Sequence, residues 1–213
     1  NEFDDYKFHE EDLENFIQSG AQWYGEKFDL INTYNFGFSF PNLVQSIPIY
    51  IETGVAARSF SPSSFSINAN SNNIQSISVA QVTPHYTADY AKLSVETTTF
   101  TGNSNLDLSI TYNPSQNTSI GWLNYIELNA RRELKMVGAQ MNFRDSESIG
   151  DSVNAKFVIS NTTSNLSVWD VTNPINVSER NVTYSSNYTT FIASTDSLKE
   201  YIAFDGISEK LKT

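Results

Sequence analysis

The sequence predicts an all-β protein, an antiparallel β-sandwich of jelly-roll-like type, with a short N-terminal helical or irregular segment. Two observations lead to this class. Short runs alternate between apolar and polar side chains with a period of two, and turn clusters rich in Asn, Ser and Gly separate them. Beyond the N-terminal turn, no stretch carries a convincing apolar stripe at helical spacing. Short strands at this spacing are typical of sandwiches and barrels.

The composition indicates a packed chain with the surface chemistry of an exported protein. The 213 residues include 11 Tyr and 14 Phe, too many large apolar groups for a disordered tail. Charged residues make up only 17%, while Ser, Thr and Asn occur throughout, as is typical of β-rich extracellular proteins. The length permits one large sandwich or two small domains, and either can bury a substantial core.

Net charge and cysteine content exclude several classes of function. A net charge of −11 with 13 Lys plus Arg argues against a nucleic-acid partner, which requires a cationic surface. The absence of Cys excludes a disulfide framework, Cys-ligated zinc and any thiolate mechanism. No apolar run approaches the roughly 18 residues of a membrane span. The chain opens at Asn1 on an acidic stretch that is not a signal peptide, so we expect a piece of a longer exported protein.

Residues 1–29 form the first predicted segment, which is acidic and aromatic. A short helix is predicted over residues 10–18, ended by Gly20, and the acids of the segment are expected at a sheet edge. The aromatic pair Trp23 and Tyr24 is predicted to pack the segment onto the main body. A sugar-stacking platform is the alternative for these rings.

The predicted sandwich occupies residues 30–205, with a second small β subdomain from about residue 175 as an option. Residues 206–213 are polar and Lys-rich, and they are predicted to be a linker stub. Strands are expected where the alternation is clearest, at residues 35–40, 47–51, 64–68, 74–79, 91–100, 106–112, 182–184, 188–193 and 201–204.

Residues 121–136 contain good helix formers, but their apolar residues fall on alternate positions. We therefore predict a long central strand, with a helix as the alternative. Arg131 and Arg132 are neighbours on this strand, so their side chains must point to opposite faces. One is expected to face solvent, and the other to need a carboxylate or carbonyl groups if it is buried. A structural role is the favoured interpretation, and a domain-docking contact is the second.

Residues 155–160 and 166–171 are predicted to form a hairpin, and Pro174 is predicted to interrupt pairing at a sheet edge. If the chain is cut from a larger protein, an apolar surface is expected to be exposed near residues 190–205.

The sequence predicts no catalytic, cofactor-binding or metal-binding residues. His9 and His85 are the only imidazoles, they lie far apart, and neither belongs to a metal or nucleophile motif. N-x-[ST] sequons begin at Asn117, Asn161, Asn165, Asn176, Asn181 and Asn187, and the abundance of Asn, Ser and Thr explains them.

Five stretches, in order along the chain, resemble the PorU family, the gingipain-like sortases of the type IX secretion system of Bacteroidetes. They are WYGEKFD at 23–29, GWLNYIELNARR at 121–132, QMNFR at 140–144, VWDVTNP at 168–174 and EYIAFD at 200–205. In that family these stretches precede a caspase-like peptidase domain, which carries the catalytic His and Cys. None of those catalytic residues has a counterpart in this chain.

The resemblance implies that the chain is the non-catalytic β region of a cell-surface cysteine peptidase at the outer membrane. The parent would remove C-terminal sorting domains from secreted cargo and attach the cargo to the surface. Implied partners are the parent's own C-terminal peptidase domain, secreted cargo and other secretion-system subunits. Trp23, Tyr24, Arg131 and Arg132 are the predicted contact residues.

A carbohydrate-binding jelly-roll module of a secreted protein is the alternative function, with exposed aromatic side chains stacking on sugars. The only Trp candidates are Trp23, Trp122 and Trp169. All three lie in apolar settings, so we expect them to be buried.

Overall fold

The computed structural model describes residues 1–16, 22–150 and 154–206. The regular secondary structure of these residues is almost entirely strand, and the strand pairings whose register is defined are antiparallel, which confirms the predicted all-β class. A 3₁₀ turn at Ser146–Ser148 interrupts the strands. In chain order the strands are β1 (Glu2–Glu10), β2 (Glu14–Asn15), β3 (Trp23–Tyr24), β4 (Lys27–Phe28), β5 (Thr33–Ser39), β6 (Ile49–Arg58), β7 (Ser63–Ala69), β8 (Asn72–Val79), β9 (Lys92–Phe100), β10 (Asn105–Asn113), β11 (Ile120–Glu133), β12 (Gln140–Arg144), β13 (Asn154–Ser160), β14 (Leu166–Asp170), β15 (Ser178–Glu179), β16 (Thr183–Ser185), β17 (Tyr188–Ser194) and β18 (Glu200–Asp205).

The chain divides into two compact units, and β1 and β11 contribute residues to both. Unit 1 comprises Asn1–Asp5, Pro41–Val44 and Arg131–Thr213, and unit 2 comprises Tyr6–Phe40 and Gln45–Ala130. The domain boundaries expected from composition stay a prediction, and residues 207–213 of the expected linker lie outside the described residues.

Unit 2 is built from two main groups of strands. One has the order β11-β6-β9, with β4 also paired to β11, and the other is a four-stranded sheet in the order β5-β10-β7-β8. A two-residue pairing of β2 with β3 adds to them. Side chains alternate strictly along β7, where Phe65, Ile67 and Ala69 are buried, and along β10, where Leu108 and Ile110 are buried. These inward faces form the core of unit 2 and match the period-two pattern of the sequence.

The long segment after residue 120 is the strand β11, so the strand prediction is confirmed and the helix alternative is wrong. Its pairing with β6 shifts register between Leu123 and Tyr125. Trp122 and Leu123 are both buried before this irregularity, and Ile126 and Leu128 are buried after it. A β-bulge of this kind adds a residue to one strand, which explains why simple alternation fails at this point.

Unit 1 has a run of strands in the order β15-β14-β18-β12, continued by β1, and a three-stranded sheet in the order β13-β17-β16. Its core is aromatic. Phe157 stacks on Phe191 with ring centroids 4.9 Å apart, and Phe143 stacks on Tyr201 at 5.3 Å.

The predicted hairpin of residues 155–160 with 166–171 is wrong. β13 pairs with β17, whereas β14 pairs with β18 and β15. Phe157 lies opposite Phe191 in the first pairing, and Val168 lies opposite Ala203 in the second. All four side chains are buried. Burial of apolar faces from distant parts of the chain therefore determines the strand pairing here, and the shortness of the local connection does not.

The predicted N-terminal helix is also wrong in the part that can be described. Residue 10 ends β1, Glu14–Asn15 is β2, and residues 17–20 lie outside the described residues. The acids of β1 do not lie at a sheet edge either, because β1 has β12 on one side and β11 on the other in the strand order. The Pro174 segment separates β14 from β15, the two-residue strand that ends its sheet.

Candidate functional site

Arg131, at the end of β11 in unit 1, is surrounded by carboxylates. Its Nη1 donates to Asp4 Oδ1 and to Asp145 Oδ1, each at 2.7 Å. Glu147 lies 3.5 Å from Nη2, and Glu2 lies 3.9 Å from Nε. Arg131 is only 8% exposed, so this arrangement compensates a cation that would otherwise be costly to bury.

The second oxygen of Asp4 binds the start of the 3₁₀ turn. Asp4 Oδ2 accepts from the Ser146 backbone N–H at 2.6 Å and from Ser146 Oγ at 2.7 Å. Partial burial acts to raise the pKa of this carboxyl, but the Ser146 backbone bond and Arg131 outweigh it, and the pKa of Asp4 is lowered. Burial acts to lower the pKa of Arg131, but hydrogen bonds to Asp4 and Asp145 prevail and raise it. The group therefore ties β1, β11 and the turn together.

Arg132 is anchored by a different set of groups. Its Nη1 donates to Asp5 Oδ2 at 2.7 Å, its Nε donates to the Pro41 carbonyl at 2.6 Å, and its guanidinium lies 5.0 Å from the centre of the Phe3 ring. Arg132 is 6% exposed, so the expectation that one of the two arginines faces solvent is wrong. Asp4 and Asp5 are consecutive residues of β1, so their side chains point to opposite faces of the sheet. Asp4 therefore pairs with Arg131, and Asp5 pairs with Arg132.

A cavity of about 330 Å³ opens beside Arg131 in unit 1. Its lining carries both signs of charge, with the acids Glu2, Asp145 and Glu147 and the cations Arg131 and Lys156. Phe157 supplies an apolar wall. The sequence alone did not reveal this cavity, because it joins residues from four separate stretches of the chain.

In unit 2 the predicted aromatic residues differ in burial. Trp122 is fully buried and packs against Phe16 at 4.5 Å, and Phe16 stacks on Tyr24 at 4.2 Å. The indole N–H of Trp122 donates to Glu14 Oε2 at 2.8 Å. Tyr24 is buried, whereas Trp23 is 44% exposed, so the expected burial is confirmed for Trp122 and wrong for Trp23.

This division follows from the strand β3, because consecutive residues point to opposite faces. Trp169 in unit 1 is half-buried and meets Phe204 edge-on at 5.3 Å. Of the four predicted contact residues, Trp23 alone presents a large exposed surface. Tyr24, Arg131 and Arg132 are held inside their own units.

A pair of glutamates on the sheet of unit 2 was missed from the sequence. Glu52 on β6 lies directly opposite Glu127 on β11, an arrangement that is unfavourable for like charges. Tyr125 donates to Glu52 Oε1 at 2.6 Å, and Tyr50 donates to Glu52 Oε2 at 3.0 Å. Asn129 donates to Glu127 at 2.8 Å.

Each of the two carboxyls therefore accepts at least one side-chain hydrogen bond. Burial and the bond to Glu52 raise the pKa of Tyr125 far above its usual value, so its hydroxyl remains a donor. The residues that meet here are distant in sequence, and only the strand register brings them together.

The two histidines lie in different surroundings. His9 Nε2 is 2.8 Å from Glu26 Oε1, and its ring is 4.6 Å from the ring of Phe36. His85 Nδ1 is 2.8 Å from the hydroxyl of Thr87, two residues along the chain. Within residues 1–16, 22–150 and 154–206, neither imidazole joins both an acid and a hydroxyl.

Within the described ranges, no group of three or more His, Asp or Glu side chains is placed to hold a metal ion. Among the described residues, no helix has the length and apolar character needed to cross a membrane.

The chain has the fold of part of a larger solved protein. Dimeric latent PorU from Porphyromonas gingivalis matches 96% of this chain with a TM-score of 0.80 at 22% sequence identity. This chain spans 20% of the length of that PorU chain. No protein-family model matches the chain, and no curated protein does.

Two carbohydrate-binding modules also show a likeness. A CBM36 module in complex with calcium and xylotriose covers 58% of this chain at 11% identity, and a CBM36 module of a multidomain xylanase from the hindgut metagenome of Trinervitermes trinervoides covers 60% at 7%. The TM-score is 0.38 for both, which is too low to support an argument.

Proposed function

We propose that this chain is the non-catalytic β region of a longer, cell-surface PorU-like peptidase. In this proposal the region supports the peptidase domain while the parent removes C-terminal sorting domains from secreted cargo and attaches the cargo to the surface. The reactive groups lie elsewhere in the parent, because a chain without Cys cannot supply a thiolate nucleophile.

The observation that carries the proposal is where the five PorU-like stretches lie in the fold. In unit 1, the stretches at 140–144, 168–174 and 200–205 contain β12, β14 and β18, which are neighbours in the order β14-β18-β12. In unit 2, the stretch at 23–29 contains β4, which pairs with β11 in the stretch at 121–132. Stretches that are distant in sequence thus form adjoining strands, and the fold likeness to PorU extends over the same residues.

The region would act as a scaffold, and its own residues explain how. The Arg131 and Arg132 groups fix β11 to β1 in unit 1, and the Trp122 cluster fixes the N-terminal strands in unit 2. We retain Trp23 as the proposed contact with a partner, since its ring is exposed while its neighbour Tyr24 is buried. Tyr24, Arg131 and Arg132 would contribute by holding the structure.

The test is an in-frame deletion of residues 1–205 from the parent gene in its own bacterium, with surface attachment and sorting-domain removal followed on a secreted cargo protein. We expect cargo to keep its sorting domain and to be lost from the surface, as in a control strain whose peptidase domain lacks its nucleophile. Hydrolysis of a short peptide by the purified deletion protein shows whether the peptidase domain is still active. If it is, the defect lies in supporting the processing of cargo and not in the peptidase activity itself. Unchanged cargo processing, or a parent with no peptidase domain, would overturn the proposal.

The carbohydrate-binding alternative rests on Trp23, the exposed member of the three Trp residues. Polysaccharide binding should then quench the fluorescence of the chain, and the Trp23→Ala variant should lose that response. If the wild-type chain binds nothing on a glycan array and polysaccharide does not quench its fluorescence, this alternative is excluded.

A further inference from the structure

One face of the β11-β6-β9 sheet in unit 2 carries exposed apolar side chains beside the Trp122 cluster. On β9, Leu93 is 46% and Val95 is 49% exposed, and on β1 the ring of Phe8 is 51% exposed. Phe8 stacks on Tyr125 of β11 with ring centroids 5.8 Å apart. We call this side of the sheet the outer face. Apolar side chains gathered on one exposed face indicate an interaction surface, whereas single exposed ones do not.

The strand register shows that these side chains share the outer face. Leu93 on β9 lies opposite Ala56 on β6. Val95 lies opposite Gly54, and Gly54 lies opposite Tyr125 on β11. Residues that are directly opposite in neighbouring strands project to the same side of a sheet. The Tyr125 ring lies over Gly54, since a Cβ added there would meet that ring at 2.7 Å.

A groove of about 500 Å³ lies at one end of the outer face. Leu93 forms part of its wall, together with the rings of Phe16 and Tyr24. The charged residues Asp89 and Lys92 also line the groove, but they form an ion pair with each other, so their charges compensate. A groove of this size and lining fits one large apolar side chain.

The other end of the outer face carries the two paired glutamates. Thr97, four residues beyond Leu93 on β9, lies opposite Glu52. Glu52 in turn lies opposite Glu127, and both side chains are half-buried and open to solvent on one side. The hydroxyl and amide groups that donate to these carboxyls are neutral, so hydrogen bonding leaves the negative charges in place. A cation from outside would relieve the repulsion between these like charges.

The separation of the groove from the glutamates suits an extended peptide. From Leu93 to Thr97 the strand advances about 13 Å, at about 3.3 Å per residue. In an extended peptide, residues four positions apart cover the same distance and project to the same side. Arg suits the position at the glutamates, because a guanidinium binds two carboxylates at once and packs its plane and stem on apolar surface such as Val95 and Tyr125.

We propose that the outer face binds an extended, basic segment of a partner protein, in which an apolar residue and an Arg stand four positions apart. The apolar side chain fills the groove, and the guanidinium lies between Glu52 and Glu127, beside the ring of Phe8. The net charge of −11 favours encounter with a cationic segment. This inference does not depend on the proposed function, since the surface belongs to this chain alone.

Nuclear magnetic resonance titration of the isotope-labelled 213-residue chain with a blocked peptide tests the proposal. In the probe peptide, three Ser residues separate a Phe from an Arg. We expect a Kd of about 100 μM at about 0.1 M salt, with chemical shift changes concentrated in β6, β9 and β11. Replacing the Arg by neutral citrulline should weaken binding about ten-fold or more. A spacer of two Ser should do the same, because the two side chains then project to opposite sides.

Charge variants of the chain test the glutamates. The double variant E52Q/E127Q removes both charges but keeps acceptors for the neighbouring hydroxyls. It should bind the Arg peptide about ten-fold more weakly and no longer distinguish it from the citrulline peptide. E96Q/D107N is the matched control, because it makes the same change in net charge outside the outer face. Glu96 alternates with Val95 on β9, and Asp107 belongs to β10 in the other sheet. This control should bind within about two-fold of the wild-type chain.

L93S tests the groove, and L30S is its control, since Leu30 is 97% exposed between β4 and β5. L93S should weaken binding about five-fold, and L30S should leave it unchanged. The proposal is overturned if the two charge variants bind alike, if citrulline binds the wild-type chain as well as Arg does, or if the shift changes fall outside the outer face. A neutral oligosaccharide that shifts these residues when the peptide does not would overturn it as well. The comparisons between peptides use the wild-type chain, so they decide the matter even if a variant does not fold.

Discussion

The two ends of strand β11 are held in place by different chemistry. Near its beginning, in unit 2, Trp122 packs against the ring of Phe16, which in turn stacks on Tyr24, and it donates one hydrogen bond, to Glu14. At its end, in unit 1, Arg131 is enclosed by carboxylates. Both ends bind acidic residues from the N-terminal segment, through an indole N–H at one end and a guanidinium at the other.

The difference teaches that the acids of the N-terminal segment are internal partners. Glu14 and Asp4 each satisfy a buried donor, and Asp5 does the same for Arg132. Stability in unit 2 should therefore depend on apolar burial at this strand, whereas stability in unit 1 should depend on charge. Apolar burial responds little to pH and salt, while ion pairs respond to both.

The largest effect is expected for Trp122→Ala. The change removes a fully buried ring and its contacts with Phe16, and it should lower the free energy of unfolding by about 4 kcal/mol. Urea denaturation followed by circular dichroism measures this loss. Trp23→Ala is the matched control, since that ring is exposed and should cost less than about 0.5 kcal/mol. Similar losses for both would contradict the assignment of Trp122 as the anchor.

The second effect concerns the guanidinium. Arg131→Met leaves Asp4 and Asp145 without their shared cation and should cost about 3 kcal/mol. Arg144→Met in the same unit is the control, because Arg144 and Glu200 form a more exposed pair, 3.4 Å apart, worth about 1 kcal/mol or less. If the two variants were equally stable in urea, the carboxylate group around Arg131 would have no special role.

The third prediction is a loss of stability in acid. The folded pKa of Asp4 lies below its ordinary value of 3.8. Its contribution is therefore complete above that value and is lost as the pH falls through the lower, folded pKa. Asp4→Asn should flatten the dependence of the unfolding free energy on pH below about 4. An unchanged acid profile in the variant would show that Asp4 is not the group that titrates.

The smallest effect is expected at Tyr201 in unit 1. Burial, assisted by the charge of Asp170, raises the pKa of Tyr201 to about 12, and its hydroxyl has no hydrogen-bond partner within the described residues. Its contribution is complete below the ordinary value of 10.0 and is lost as the pH rises from there through the folded value.

Tyr201→Phe should therefore be neutral or stabilising by up to about 1 kcal/mol at pH 7, and it should reduce the loss of stability in alkali. Tyr125→Phe is the contrasting variant, since it removes a hydroxyl that donates to Glu52, and it should cost about 1–2 kcal/mol. A clear loss in Tyr201→Phe would indicate a partner for that hydroxyl.

The strands of unit 2 were predictable because each has one buried and one exposed face, and the resulting alternation is visible in residues such as Phe65 and Ile67. The choice of strand over helix for β11 came from the same pattern. Strand pairing was much less predictable. The hairpin error arose because local proximity favours residues 155–160 with 166–171, while burial of Phe157 against Phe191 selects a distant partner.

The site residues show a similar limit. The sequence marked Arg131 and Arg132 and required a carboxylate for a buried arginine, but it could not show that Asp4 and Asp5 supply one to each. It placed Trp23 and Tyr24 together, although adjacent strand residues face opposite sides. The pairing of Glu52 with Glu127 could not be predicted from the sequence, because only the register of β6 and β11 places the two residues opposite each other.

The most direct test of the account is pulsed hydrogen exchange on wild-type chain and on Arg131→Met, with labelling at one fixed pH and analysis by peptide. The account predicts that protection falls in β12, β14 and β18 of unit 1, while β7 and β10 of unit 2 keep theirs. An equal loss of protection in both sets of strands would contradict the claim that the arginine group stabilises one compact unit and the aromatic cluster the other.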